Sequence, residues 1–148
     1  MNRFDPKEID PLRFCKMTQA WEIDSVLSEF PRLLGEFAQG QLHCRVTGRT
    51  DKHYGCVLRL EIQGEVETTC QRCLGRLTQQ VSIANDISLA RDETELERRE
   101  ADSDAGMDTI LMSAKLSLIE LIEDEVLLGL PLAPMHAPGV CVIPTVII

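Results

Sequence analysis

The sequence predicts an α+β fold in which an antiparallel, curved sheet of four to six strands is packed by one or two helices. Apolar and polar residues alternate in several runs between residues 42 and 90, as expected for half-buried strands. Short polar turns separate these runs, which favours antiparallel pairing. A capping box at Ser117, with Glu120 three residues later, then begins a helical pattern. A chain of 148 residues fits one domain, predicted to span residues 1–148.

The first forty residues are less regular than the rest. Pro6 and Pro11 favour an extended arm or an early edge strand over residues 1–20. A shorter helical element is predicted near residues 24–37. Asp24 is a suitable N-cap for it, and Pro31 is a suitable first residue of its second turn.

The alternating runs predict four strands, which cover residues 42–48, 55–62, 65–70 and 77–90. Leu42, Cys44 and Val46 share one face of the first strand. The pair Gln63-Gly64 predicts a hairpin turn between the second strand and the third. Another hairpin turn is predicted after residue 70, so the four strands form a meander.

The C-terminal third combines an acidic segment with a helix. Residues 92–108 hold eight acidic residues and two arginines without an apolar stripe, and a flexible acidic loop is predicted at about 92–107. A return strand is predicted over 108–112 and a helix over 118–128, ended by Pro131. The apolar face of that helix consists of Leu118, Ile119, Ile122 and Val126.

The charge of the chain limits its partners. The net charge is −9, which argues against a general nucleic-acid binder and favours a protein partner. One basic patch is nevertheless expected if Arg45, Arg49, Lys52 and Arg59 lie side by side on neighbouring strands. The chain has neither an apolar signal region at its start nor a run of about 18 apolar residues, so we expect a cytoplasmic protein that does not enter membranes. Its six cysteines are then expected to be reduced thiols or metal ligands.

The most informative motif is Cys70-Gln71-Arg72-Cys73, placed at the second hairpin turn. Two thiols three residues apart form half of a tetrahedral zinc site, and His136 with Cys141 would complete a Cys3His set. The same spacing also fits two reduced thiols that pack the turn. A redox pair of the thioredoxin type is the third reading, but it needs its first cysteine at a helix N-terminus.

A second motif lies downstream, and the two together resemble those of a known family. Cys70 to Leu74 read C-x-R-C-L, and Glu123 to His136 read E-D-E-x-x-L-x-L-P-x-x-P-x-H. In this order and separation they resemble the YceD family, the large ribosomal RNA subunit accumulation proteins, over about residues 40–141. The resemblance implies a ribosome-biogenesis factor that supports accumulation of the large-subunit (23S) ribosomal RNA. No catalytic activity is established for that family.

The partner implied by the resemblance is a ribosomal precursor particle, contacted through a ribosomal protein or through ribosomal RNA. The expected contact residues are Gln71, Arg72 and Arg76 at the exposed turn, together with Glu123 in the acidic motif. The alternatives for the carboxylates of that motif are a solvated helix face or structural salt bridges. The chain contains no P-loop, dinucleotide-binding glycine pattern, nucleophile elbow or H-E-x-x-H helix, so we expect no enzyme. The alternative function is a small zinc-binding or thiol-redox protein that uses Cys70 and Cys73.

Overall fold

The computed structural model describes residues 4–101, 107–130, 134–137, 139 and 141. Four α-helices, one short 3-10 helix at Leu27–Glu29 and five strands are present in these residues. The helices are α1 (Pro11–Lys16), α2 (Pro31–Glu36), α3 (Glu93–Ala101) and α4 (Leu118–Gly129). The strands are β1 (Ala20–Val26), β2 (Gln39–Asp51), β3 (Gly55–Thr69), β4 (Arg76–Ala90) and β5 (Asp108–Leu111).

The five strands form one sheet in the order β1-β2-β3-β4-β5. β1 to β4 pair antiparallel, whereas β4 and β5 pair parallel. The α+β prediction and the number of strands are confirmed, although more helices pack on the sheet than predicted. The antiparallel prediction is wrong for β5 because the connection from β4 contains α3, which returns the chain in the same direction.

β3 continues through the predicted Gln63-Gly64 turn as one strand of 15 residues. Gly64 pairs with Leu42 on one side and with Val81 on the other. Its φ is +153°, and a Cβ atom there would lie 2.0 Å from the carbonyl oxygen of Gln41. The glycine therefore permits a close approach of β2 rather than a turn.

The N-terminal predictions need two corrections. Instead of an extended arm or edge strand, α1 begins after Asp10, whose Oδ1 accepts a hydrogen bond from the Arg13 N–H (3.3 Å). Asp24 belongs to β1 and caps no helix, so the predicted helix near 24–37 is reduced to the 3-10 turn and α2. Pro31 is the first residue of α2, because its fixed φ suits that position.

The predicted acidic loop is a helix over most of its length. Asp92 caps α3 by accepting the Glu95 N–H at 2.8 Å. The loop prediction is therefore wrong for residues 93–101, and residues 102–106 lie outside the described ones. α3 is held by Arg99, whose side chain is only 7% exposed and is bonded to β4.

α4 follows its sequence prediction closely. The Ser117 hydroxyl accepts a hydrogen bond from the Glu120 N–H at 3.1 Å, as in a capping box. The predicted apolar face is buried against the sheet core, and its members are Leu118, Ile119, Ile122 and Val126. Pro131 lies outside the described residues, and α4 ends before it at Gly129.

One hydrophobic core joins the sheet to α1, α2 and α4. The predicted inward face of β2 is buried, with Leu42, Cys44 and Val46 each 0% exposed. Burial raises the pKa of the Cys44 thiol to about 12, so it behaves as a small apolar residue. No helix in the described ranges is long and apolar enough to span a membrane.

Cys15 of α1 and Cys56 of β3 form a disulfide, with their Cα atoms 5.6 Å apart. The expectation that all six cysteines are reduced thiols or metal ligands is wrong for this pair. Their nearness depends on α1, which packs across β2 and the beginning of β3 and which the sequence did not predict.

Candidate metal centre

The Cys70-x-x-Cys73 motif forms the turn between β3 and β4, as predicted. The last paired residues of the two strands are Thr69 and Arg76. Inside the turn, the Cys70 N–H donates to the Gly75 carbonyl at 2.9 Å, and the Leu74 N–H donates to the Cys70 carbonyl at 2.8 Å. Leu74 adopts a left-handed φ of +61° and is 74% exposed. We call residues 70–76 the knuckle.

Residues 134–136 lie directly against the knuckle. The Gln71 N–H donates to the Pro134 carbonyl at 2.8 Å, and the His136 N–H donates to the Cys70 sulfur at 3.4 Å. Hydrogen bonds from two backbone N–H groups therefore hold residues 134–136 against the knuckle. The Gln71–Pro134 bond uses main-chain atoms only, which any residue provides, so the sequence carries no signal for it. The other bond needs the sulfur of Cys70.

Four ligand-type atoms converge beneath the knuckle. They belong to Cys70, Cys73, His136 and Cys141, and all lie within 4.8 Å of one another. The sulfurs of Cys70 and Cys141 are 3.7 Å apart, and the Cys73 sulfur is 3.4 Å from Nδ1 of His136. A tetrahedral zinc ion with Zn–S bonds of about 2.3 Å places two sulfurs about 3.8 Å apart. These two separations are therefore close to the edge length of a zinc tetrahedron.

The second nitrogen of His136 is also positioned. Its Nε2 lies 2.8 Å from the Arg76 carbonyl oxygen, which can only accept a hydrogen bond. The proton is therefore assigned to Nε2, which leaves the Nδ1 lone pair directed at the cluster. Metal-binding histidines are commonly oriented by such a second contact.

The cluster favours a thiolate at Cys70. Burial of the sulfur acts to raise the pKa, but hydrogen bonds from the backbone N–H groups of Cys73, His136 and Arg72 lower it to about 5. Burial and the neighbouring Cys70 and Cys73 sulfurs raise the pKa of Cys141. The thiolate is the form that binds a metal, so Cys70 is prepared for that role.

The predicted contact residues of the knuckle lie at the surface. Gln71, Arg72 and Arg76 are exposed, together with Leu74, which the sequence analysis did not single out. Arg76 is 87% exposed and forms a salt bridge of 3.2 Å with Glu67. The charge of Arg72 has no carboxylate partner among the described residues; its Nη2 lies 3.9 Å from the Met135 sulfur. The knuckle thus presents one unpaired arginine beside an exposed leucine.

Glu123, predicted as a contact residue at the surface, is buried instead. Its side chain is buried at 2% exposed, and Oε2 accepts the Arg32 N–H at 2.7 Å in the first turn of α2. Asp124 adds a 2.7 Å salt bridge to the Arg32 guanidinium. Glu125 accepts a hydrogen bond from Asn85 of β4 at 3.3 Å. The acidic motif therefore joins α4 to α2 and to the sheet.

The basic patch predicted on the strands is partly neutralised. Asp86 of β4 accepts from both Arg49 (3.2 Å) and Arg59 (3.4 Å), and Arg59 also pairs with Glu61. Paired guanidinium groups attract phosphate less than free ones do. This face of the sheet is therefore a weak candidate for an RNA contact.

The fold and the site define a class of protein: a small α+β domain with a Cys3His cluster beneath an exposed hairpin turn. The chain belongs to the YceD family. The family model described as "Large ribosomal RNA subunit accumulation protein YceD" matches residues 58–145, more than half of the chain, and this stretch contains all four cluster residues and α4. No curated protein and no solved structure matches the chain.

Proposed function

We propose that the protein is a non-catalytic binding module in large-subunit ribosome biogenesis, and that a zinc ion in the Cys3His cluster holds its recognition turn in place. The link to ribosome biogenesis comes from the family, whose description names accumulation of the large ribosomal RNA subunit. The observation that carries the proposal is the convergence of Cys70, Cys73, His136 and Cys141 within 4.8 Å, directly beneath the exposed knuckle.

The composition of the cluster favours a structural role for the metal. Four protein ligands fill a tetrahedral zinc shell, and catalytic zinc sites instead keep one position open for water or substrate. A zinc ion here would cross-link the β3–β4 turn to the segment that contains His136 and Cys141. The knuckle would then meet its partner as a rigid surface, with little ordering entropy lost on binding.

The partner proposed is a precursor particle of the large ribosomal subunit. Arg72 and Leu74 combine a positive charge with exposed apolar area, a pairing typical of the centre of a protein interface. The net charge of −9 favours a protein over bare RNA as the partner. The positive charge of Arg72 suits an acidic patch on that protein. The cytoplasmic location stays a prediction.

Charge reversal at the knuckle tests the contact. Arg72→Glu with Arg76→Glu is expected to fold and bind zinc like the parent, because both side chains are exposed. Its association with precursor particles should weaken by about ten-fold or more, measured by co-sedimentation of tagged protein. Large-subunit ribosomal RNA should also fall in cells that depend on the variant. Ribonuclease treatment distinguishes a protein contact from an RNA contact, because only the protein contact survives it.

The matched control is Lys7→Glu with Arg45→Glu, which changes the net charge equally at two exposed sites away from the knuckle. It should co-sediment like the parent. A knuckle variant that folds, binds particles and maintains the ribosomal RNA like the control would remove this surface from the proposal.

A thiol-redox protein is the alternative function. Cys70 follows a strand and opens a turn, so it lacks the helix N-terminus that activates the first thiol of a thioredoxin-type pair. Metal analysis separates the alternatives. Protein purified without zinc and with a reversible Cys70–Cys73 disulfide would support the redox function instead.

A further inference from the structure

A large cavity lies at the end of the sheet opposite the knuckle. Its volume is about 960 Å³, and it is open to solvent and lined by α1, the β2–β3 turn, the first residues of β3, the end of β4 and α3. Ligand sites commonly measure about 300–1,000 Å³. The cavity therefore has room for a ligand of nucleotide size.

The walls of the cavity are strongly basic in an acidic protein. Six cationic residues line it, namely Arg13, Lys16, Lys52, Arg91, Arg98 and Arg99. Glu95 is the single carboxylate among the lining residues, against a net charge of −9 for the whole chain. Such a concentration of one sign raises the local concentration of anions.

Several of these charges have no counter-ion. Arg13, Lys16, Lys52 and Arg98 are exposed, and none forms an ion pair with another residue in the described ranges. Arg91 and Arg99 share Glu95. Like charges held around one cavity repel one another, so an anion bound between them is favoured.

Arg99 is held firmly in the wall of the cavity. Its side chain is 7% exposed; Nη1 donates to the Leu89 carbonyl (3.1 Å) and to the Ser88 hydroxyl (3.3 Å), and Nη2 pairs with Glu95. Its Nε–H is buried and has no hydrogen-bond partner among the residues that the structure describes. Because this donor has almost no accessible surface, the exposed cations around Arg99 would make the contacts to a ligand.

The remaining walls suit a flat organic group. Leu12 and Met17 line the cavity and are more than half exposed. A neighbouring cavity of about 260 Å³ shares Arg98 and Arg99 with it and adds the ring of Tyr54. Bases bind by stacking on aromatic and guanidinium planes, while phosphates bind the cations.

We propose that this cavity binds a nucleotide, with its phosphate among the cations and its base against the apolar and aromatic walls. The nucleotide belongs to a single-stranded RNA or is a free mononucleotide. Both present a phosphate and a base to the cavity. The proposal concerns binding and includes no chemical reaction. The inference does not depend on the zinc cluster or on a role in ribosome biogenesis.

The probes are a labelled oligoadenylate RNA of about eight nucleotides and AMP, measured by fluorescence anisotropy and by calorimetry on the full chain. Lys16→Glu with Arg98→Glu should weaken binding of the RNA by about ten-fold or more and reduce the slope of log K against log salt by about 1.4 units, about 0.7 for each lost cation. Lys7→Glu with Arg45→Glu carries the same charge change outside the cavity and should bind like the parent. Circular dichroism checks the fold of each variant. If charge reversal unfolds α3, Lys16→Gln with Arg98→Gln is used instead.

The outcomes separate the sources of the nucleotide. RNA that binds about ten-fold tighter than AMP assigns the cavity to an RNA strand, and equal affinities assign it to a free nucleotide. The proposal is overturned if neither probe binds, or if the two double variants weaken binding equally. Because the knuckle is intact in both variants, failure here leaves the particle-binding experiment unaffected.

Discussion

The two ends of β3 carry two sites that are built in opposite ways. Cys70 follows the strand and is one of four donors, three thiols and one imidazole, that lie within 4.8 Å of one another. Cys56 lies near its start, in the wall of a cavity of about 960 Å³ whose cations come from four parts of the chain. The cluster would select one ion by distance and donor type, whereas the proposed ligand of the cavity is a larger anion attracted by the charge distribution.

The strand between the two sites keeps them apart. From Cys56 to Cys70 there are 14 steps, which span at most about 46 Å at 3.3 Å per residue. Most of this length is paired on both sides, with β2 and with β4. Sites at such a distance that share no partners are expected to respond independently to mutation. The following predictions test that independence, beginning with the largest effect.

The largest effect is expected from removing two cluster ligands. Cys73→Ser with His136→Gln should reduce bound zinc from about one ion per chain to below about 0.1, measured by plasma mass spectrometry. The midpoint of urea unfolding should fall, because metal binding adds to folding free energy. RNA binding at the cavity should not change. His43→Gln, an exposed histidine change outside the cluster, should keep the metal, and loss of zinc in this control would count against a specific site.

A smaller but substantial effect is expected at the opposite end. Arg99→Met should lower the free energy of unfolding by about 3 kcal/mol, because the Glu95 carboxylate keeps only Arg91 as a partner and the bonds of Arg99 to Ser88 and Leu89 are lost. The double variant Arg99→Met with Glu95→Gln should recover part of this loss. Urea denaturation measures both, and zinc content should stay at the parental value. A single-variant loss of less than about 1 kcal/mol would show that α3 is held by other contacts.

The smallest effect concerns pH at the turn that borders the cavity. Hydrogen bonds from the His53 and Tyr54 N–H groups lower the pKa of Asp51. A depressed carboxyl pKa stabilises the fold above the unfolded value of about 3.9, and this contribution is lost as pH falls through the folded pKa. Asp51→Asn should therefore flatten the fall in melting temperature below about pH 4. An unchanged slope would contradict the role of this carboxylate, and Glu93→Gln is the control.

The knuckle was predictable because its signal is local. Two thiols three residues apart, between two alternating runs, define a hairpin turn whatever the rest of the chain does. His136 and Cys141 were named as ligands from their type alone. Their approach depends on the position of α4 and on main-chain contacts such as Gln71 to Pro134, which have no sequence signature.

The cavity was not predicted because tertiary packing builds it. The acidic composition of residues 92–108 indicated a loop, yet Asp92 as a cap and the Glu95–Arg99 spacing of four residues both favour a helix. α1 was also missed, and it brings Arg13 and Lys16 to the same place. Glu123 was predicted to be exposed because it is charged. It is buried instead, because its carboxylate accepts a hydrogen bond from an N–H group at the start of α2.

The distance in sequence between the two halves of the cluster determines when the site is completed. Cys70 and Cys141 are 71 residues apart, and the whole of β4, β5 and α4 is synthesised between them. During translation the β2–β3–β4 meander can pair as soon as it emerges, but the knuckle has only two of its four ligands at that stage. If the knuckle is completed by a metal as proposed, it would take its final form only after Cys141 has emerged.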